Sequence, residues 1–199
     1  MNNNETMNVK RENLLNAYKN ANDEQKAFLE NLFGTETFKP KDIRERIKTF
    51  ADALHELGNE NPLVLAYQNT NLRDSDVAPD NKDIIAYLKL RIIVAALNEG
   101  WEPQFIPGEY RWAPYFVLYT KEEIDEMDEE TKARVVCRSD SSASAGGGVS
   151  FAVASYDSAY VDANIGSRLA FKSEELAEYA GTQFIDIFAD FMLGWELKK

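Results

Sequence analysis

The spacing of apolar residues changes near Gly100, and this change constrains the fold more than any other feature of the sequence. Upstream, apolar residues recur every three or four positions, first from Ile43 to Leu57 and again from Ile84 to Leu97. Downstream, short segments rich in aromatic and β-branched residues are separated by Gly, Pro and Ser. The first pattern is typical of amphipathic helices and the second of antiparallel strands. We therefore predict an α+β chain.

Helix-boundary residues place the first helices. Asn22 is a predicted N-cap with Gln25 three residues later, and Gly34 suits the position after the last turn. Pro40 is predicted to begin a further helix, because a proline at the first helical position loses no hydrogen bond. That helix is predicted to continue unbroken to Gly58. The sequence thus predicts a small N-terminal helical bundle over residues 1–60.

Residues 61–80 are rich in Asn, Asp and Pro and predict an irregular connection. An α+β domain is predicted over residues 81–199: an antiparallel sheet flanked by a central, largely buried helix and a long C-terminal helix capped by Ser173. The predicted strands are residues 101–105, 110–119, 134–139, 148–156 and 167–171. Seven carboxylates between Glu122 and Glu130 predict a solvated helix or an exposed loop, with a weakly bound cation or a basic partner left open.

The composition argues against several classes of function. A net charge of −12 without a basic patch disfavours binding to nucleic acid. Cys137 is the only cysteine and His55 the only histidine, so a disulfide or a zinc site would lack partners. The start has no apolar signal segment, and no apolar run approaches the roughly 20 residues that span a bilayer. We expect a protein of the bacterial host cytoplasm with no metal, no cofactor and no membrane contact.

Residues 138–171 differ from the rest of the chain in composition. Val149, Phe151 and Val153 alternate with small residues, which favours a strand over a flexible linker. Between Val135 and Phe171 there is no Lys, Glu, Gln, Met or Trp, and every residue type present can be encoded by a codon ending in a pyrimidine. Small residues selected for a tight sheet remain an alternative explanation. Tyr, Ser, Gly and Asn are also the residues of adaptable binding loops. The predicted partner-binding residues are Arg138, Asp140, Tyr156, Asp157, Tyr160, Asp162 and Asn164.

Two resemblances add to these inferences. The sequences "ENLFG", "FKPKDIRERIKTF", "LNEGW", "PYF" and "GSRLAFKSEELAEYAGTQFIDIFADFML" resemble uncharacterised proteins of gut Bacteroidales phages and mobile elements. This resemblance spans most of the chain and implies a phage-associated origin without catalytic residues. Residues 138–169 loosely resemble the last part of C-type-lectin-like domains, including those diversified by retroelements.

The favoured hypothesis is a non-enzymatic interaction protein of a phage or mobile element that binds a protein or a surface ligand through residues 138–164. A role as a virion component and self-association are both left open. The alternatives are a retroelement-diversified, C-type-lectin-like ligand-binding protein and, least favoured, a hydrolase or nuclease with dispersed carboxylates.

Overall fold

The computed structural model describes residues 8–70, 82–104, 106–138, 147–158 and 167–192. Helices and strands are both present, so the predicted α+β class is confirmed. The chain forms two compact units, Met1–Arg46 and Ile47–Lys199. The first unit ends at Arg46 and the second begins at Ile47; the predicted division into residues 1–60, 61–80 and 81–199 stays a prediction.

The first unit contains helices α1 (Arg11–Lys19), α2 (Asp23–Phe33) and α3 (Ile43–Arg46). The predicted cap of α2 is confirmed: the Gln25 backbone N–H donates to Asn22 Oδ1 over 2.9 Å, and Asn22 N–H donates to Gln25 Oε1 over 3.0 Å. The Tyr18 ring stacks on Phe38, with the centroids 4.3 Å apart. This stacking fixes the turn that follows α2 against α1.

The helix predicted from Pro40 to Gly58 is wrong as one continuous element. The structure has α3 and then α4 (Phe50–Leu57), separated at residues 47–49. Thr49 has an extended backbone and caps α4, and its own N–H donates to the Asp52 carboxylate over 2.8 Å. An N-cap residue cannot also continue the preceding helix. The apolar periodicity runs through this break because both short helices bury apolar residues.

Residues 61–80 were predicted to be irregular, and this is wrong for the first part. Residues Pro62–Asn69 form α5, which Asn61 caps by accepting the Leu63 N–H over 2.9 Å. Residues 71–81 lie outside the described residues.

Helix α6 (Lys82–Leu97) is the buried central helix that the sequence predicted. Leu90, Ile92, Ile93 and Leu97 have no exposed surface. Ile92 lies on a different side of the helix from Leu90, Ile93 and Leu97, so the buried surface is wider than a single stripe. Helix α6 therefore forms the middle of the core of the second unit.

Three strands form one antiparallel sheet in the order β1 (Tyr110–Tyr119), β3 (Gly147–Ser158), β2 (Val136–Arg138). The register between β1 and β3 shifts at Tyr115/Phe116. Residues 147–158 are thus a strand and not a linker, as the alternation predicted.

Two predicted strands are wrong. Residues 101–104 are irregular, because Pro103 has no N–H and the Gln104 N–H donates to the Glu109 carboxylate instead of to a neighbouring strand. Residues Ser167–Leu169 form a 3₁₀ turn. After this turn, Phe171 makes a single antiparallel bridge to Trp112.

The acidic insertion after β1 forms two short helices, α7 (Lys121–Asp125) and α8 (Glu129–Lys132). Its seven carboxylates are all exposed, and Ile124 is buried beneath them. The structure therefore favours the predicted solvated helix over a loop.

The predicted long C-terminal helix is interrupted. It consists of α9 (Glu174–Gln183), capped by Ser173 as predicted, and α10 (Ile185–Met192). Phe184 between them has a non-helical backbone with ψ of 26° and a buried side chain. Phe184 therefore separates the two helices.

Candidate functional site

The structure describes the backbone of three of the seven predicted binding residues. Arg138 ends β2 opposite Gly147, and Tyr156 and Asp157 of β3 lie opposite Trp112 and Arg111 of β1. The other four lie outside the described residues: Asp140, Tyr160, Asp162 and Asn164. The prediction that these seven residues form one binding surface therefore stays a prediction.

The pairing of β3 differs along its length. Strand β2 pairs with residues 147–149 only, whereas β1 pairs along most of β3 up to Ser158. From Ser150 to Ser158, the described strands therefore pair with β3 along one edge only. A strand edge of this kind carries backbone N–H and C=O groups that can pair with another chain.

The second unit also contains a cleft that the sequence did not predict. Its volume is about 420 Å³, and one of its walls is the face of α6 that carries Arg91, Val94 and Ala95 and continues to Asn98 directly after the helix. These residues share a face because positions three and four apart lie one above another on a helix. Leu63 of α5 lies at the side of the cleft.

A tight turn after α6 provides the second wall. Glu99 and Gly100 both have left-handed backbone angles, with φ of 51° and 84°, and the Trp101 N–H donates to the Asn98 carbonyl over 3.0 Å. This turn reverses the chain, so that Trp101, Glu102 and Pro103 line the cleft beside the end of α6. A glycine suits the second position because L-residues are strained at such an angle.

The third wall is the segment around the 3₁₀ turn, which contributes Arg168 and Ala170. The buried side chain of Asn98 holds this wall to α6. Its Nδ2 donates to the Ala170 carbonyl over 2.8 Å, and its Oδ1 accepts the Lys172 N–H over 3.0 Å. Lys172 Nζ also pairs with Glu99 Oε2 at 2.9 Å. The cleft is therefore built by direct bonds between its walls.

The charges in the cleft are unusual for this chain. Arg91 and Arg168 both line it, and Glu102 is the one acidic residue among the described residues that line it. The Arg91 guanidinium lies 6.0 Å from the centre of the Tyr87 ring. Within the described part of the chain, neither guanidinium has a carboxylate partner, whereas Arg44 and Arg134 each pair with an acid at 2.6 and 2.5 Å. The cleft is thus a small positively charged region on a protein of net charge −12.

The described residues contain neither a candidate metal site nor a candidate membrane-spanning helix. No three His, Cys, Asp or Glu side chains in that part of the chain are grouped so that they could hold a metal ion. No helix within the same residues is long and apolar enough to cross a membrane. His55 lies exposed on α4.

The chain matches no protein-family model, no curated protein and no solved structure. One sequence signal could have indicated the cleft. Two of the segments that carry the resemblance contribute residues to the cleft. These are "LNEGW" at residues 97–101, with Asn98 and Trp101, and "GSRLAF" at residues 166–171, with Arg168 and Ala170.

Proposed function

We propose that this chain is a non-enzymatic interaction protein of a phage or mobile element, acting in the host cytoplasm or in the virion and binding a protein or surface ligand through residues 138–164. The supporting observation is the edge of β3 from Ser150 to Ser158, along which the described strands leave the side away from β1 without a neighbour. An extended partner segment recognised there would add main-chain hydrogen bonds to the sheet, and side chains of the flanking residues would supply specificity.

The arrangement of helices and sheet also supports this proposal. The ring of Phe116 in β1 lies 4.8 Å from that of Phe188 in α10, so α10 covers one face of the strand here. The neighbouring Tyr115, which alternation directs to the opposite face, is 58% exposed. We infer a sheet flanked by helices, with one face accessible to a partner around Tyr115; further along that face, Arg111 is buried.

The experiment is a comparison of partner capture by three forms of the purified chain. Each form is immobilised and incubated with an extract of cells carrying the element. The three forms are the wild type, the Tyr156→Ala/Tyr160→Ala variant and the control variant Phe28→Ala/Leu32→Ala. The control removes side chains that are 62% and 59% exposed on α2, so it tests for unspecific apolar adhesion. We expect a partner that the wild type and the control retain and that the tyrosine variant loses at least tenfold. Equal retention of every partner by a folded tyrosine variant would rule out this site.

A second candidate is a ligand-binding protein diversified by a retroelement. The observation that favours it is the absence of Lys, Glu, Gln, Met and Trp between Val135 and Phe171. Sequencing of the flanking DNA tests it: the hypothesis requires a reverse transcriptase gene and a near-repeat of the coding sequence for this region beside the gene. A locus that lacks both contradicts diversification and leaves the first proposal intact.

Detection of the chain in purified particles by mass spectrometry would assign it to the virion.

A further inference from the structure

We propose that the cleft between α5, α6 and the segment 167–171 binds a small organic anion, a carboxylate or phosphate monoester attached to an apolar body. This inference is independent of the proposed partner-binding function, because it rests on other residues of the second unit.

The charged side chains define the head group of the ligand. Arg91 and Arg168 line one cleft, and among its described lining residues only Glu102 is acidic. Because neither guanidinium has a carboxylate partner within the described residues, both can donate hydrogen bonds to an anion that enters the cleft. A guanidinium donates two parallel hydrogen bonds to a carboxylate or phosphate oxygen pair, and such charge-assisted bonds are among the strongest in proteins.

The remaining walls define the body of the ligand. Leu63, Val94, Ala95, Trp101 and Pro103 present apolar surface to the same space. The volume of about 420 Å³ lies within the roughly 300–1,000 Å³ of typical small-molecule sites. The half-buried indole of Trp101 offers a flat surface on which a planar ligand can lie. An inorganic anion alone would leave this apolar surface in contact with water.

The hydrogen bonds of Asn98 keep the cleft formed without a ligand. They hold Ala170 and Lys172 to the end of α6, and Ala170 and Asn98 are 6% and 3% exposed. The backbone that carries Arg168 is therefore fixed beside the wall that carries Arg91. Binding then orders little besides the two arginine side chains, which lowers its entropic cost.

The test is a titration of the full chain with three probes, followed by the indole N–H signals in NMR spectra. Phenylacetate and phenyl phosphate carry the two anionic head groups, and phenylacetamide is the uncharged counterpart of phenylacetate. Of the three tryptophans, Trp101 lines the cleft, and a Trp101→Phe variant assigns its signal. We expect saturable shifts of the Trp101 signal with at least one anionic probe and at least tenfold weaker binding of the amide. Comparison of the two anions distinguishes a carboxylate site from a phosphate site.

Variants locate the binding. Arg168 is exposed and makes no ion pair in the described structure, so Arg168→Gln should fold normally, and an unchanged Trp112 signal verifies this. We expect at least tenfold weaker binding to Arg168→Gln and partial recovery in Arg168→Lys. Arg134→Gln, which makes the same change in net charge at an exposed pair with Glu130, should bind as the wild type does. The proposal is overturned if neither anion shifts the Trp101 signal, if the amide binds equally well, or if the two glutamine variants weaken binding equally.

Discussion

Replacing Asn98 with alanine would remove the two hydrogen bonds that join α6 to the segment carrying Arg168. Both partners are backbone groups, the Ala170 carbonyl at 2.8 Å and the Lys172 N–H at 3.0 Å. Asn98 is 3% exposed and Ala170 is 6% exposed, so water reaches these groups poorly. The substitution therefore leaves buried polar groups without partners.

The expected loss follows from these two bonds. Each contributes about 0.5–1.5 kcal/mol net, and a buried carbonyl left without a donor costs about 1–3 kcal/mol. We expect Asn98→Ala to lower the free energy of unfolding by about 2–4 kcal/mol.

The assay is urea unfolding followed by tryptophan fluorescence. All three tryptophans, Trp101, Trp112 and Trp195, lie in Ile47–Lys199, so the signal reports the second unit alone. With a denaturant slope of about 2 kcal/mol/M, a loss of 3 kcal/mol lowers the midpoint by about 1.5 M at unchanged slope.

The matched control is Asn59→Ala in the same unit. Asn59 is exposed and accepts one long hydrogen bond of 3.5 Å from Gln68, so the expected change is below about 0.5 kcal/mol. If Asn98→Ala were no more destabilising than this control, Asn98 would not hold the cleft together, and the argument for a preformed cleft would fail.

Three further predictions concern individual residues. Thr49→Ala should cost about 1 kcal/mol at neutral pH by removing the cap of α4, as urea unfolding would show. Hydrogen bonds, chiefly from the Thr49 hydroxyl, hold the pKa of Asp52 below its ordinary 3.8. The ionised Asp52 therefore stabilises the fold above pH 3.8, and this contribution is lost as the pH falls through the pKa of the folded state. The destabilisation caused by Thr49→Ala should accordingly be smaller at acidic pH than at neutral pH. Gly100→Ala should destabilise by about 1–2 kcal/mol through backbone strain alone, because an added Cβ meets no atom within 4 Å, and Gly100→Asn should cost less in the same assay. Phe171→Ala should cost about 3–5 kcal/mol and lower the melting temperature in calorimetry, since its side chain has no exposed surface; an effect below 1 kcal/mol would contradict its place in the core.

The parts of the fold that the sequence predicted depend on local chemistry. The Asn22 and Gln25 side chains satisfy N–H groups within one turn of α2, and Ser173 does the same for α9. The alternation around Phe151 indicated a strand because it depends only on residues two positions apart. These features follow from neighbours in the chain, so one sequence is sufficient to find them.

The parts that the sequence did not predict depend on competition or on distant contacts. Apolar spacing continued through Thr49, where the capping bonds with Asp52 begin a new helix instead. The cleft requires Asn98 to reach Ala170, 72 residues away, and nothing in the spacing of either residue indicates that pairing. Four of the seven predicted binding residues lie outside the described residues: Asp140, Tyr160, Asp162 and Asn164.

The most direct test of the proposed anion site is a crystal structure of the chain with the anionic probe that binds to it. We predict that the anionic group contacts the guanidinium groups of Arg91 and Arg168, that the ring lies against Trp101, and that Asn98 still donates to the Ala170 carbonyl. A probe bound elsewhere, or a segment 167–171 detached from Asn98, would contradict it.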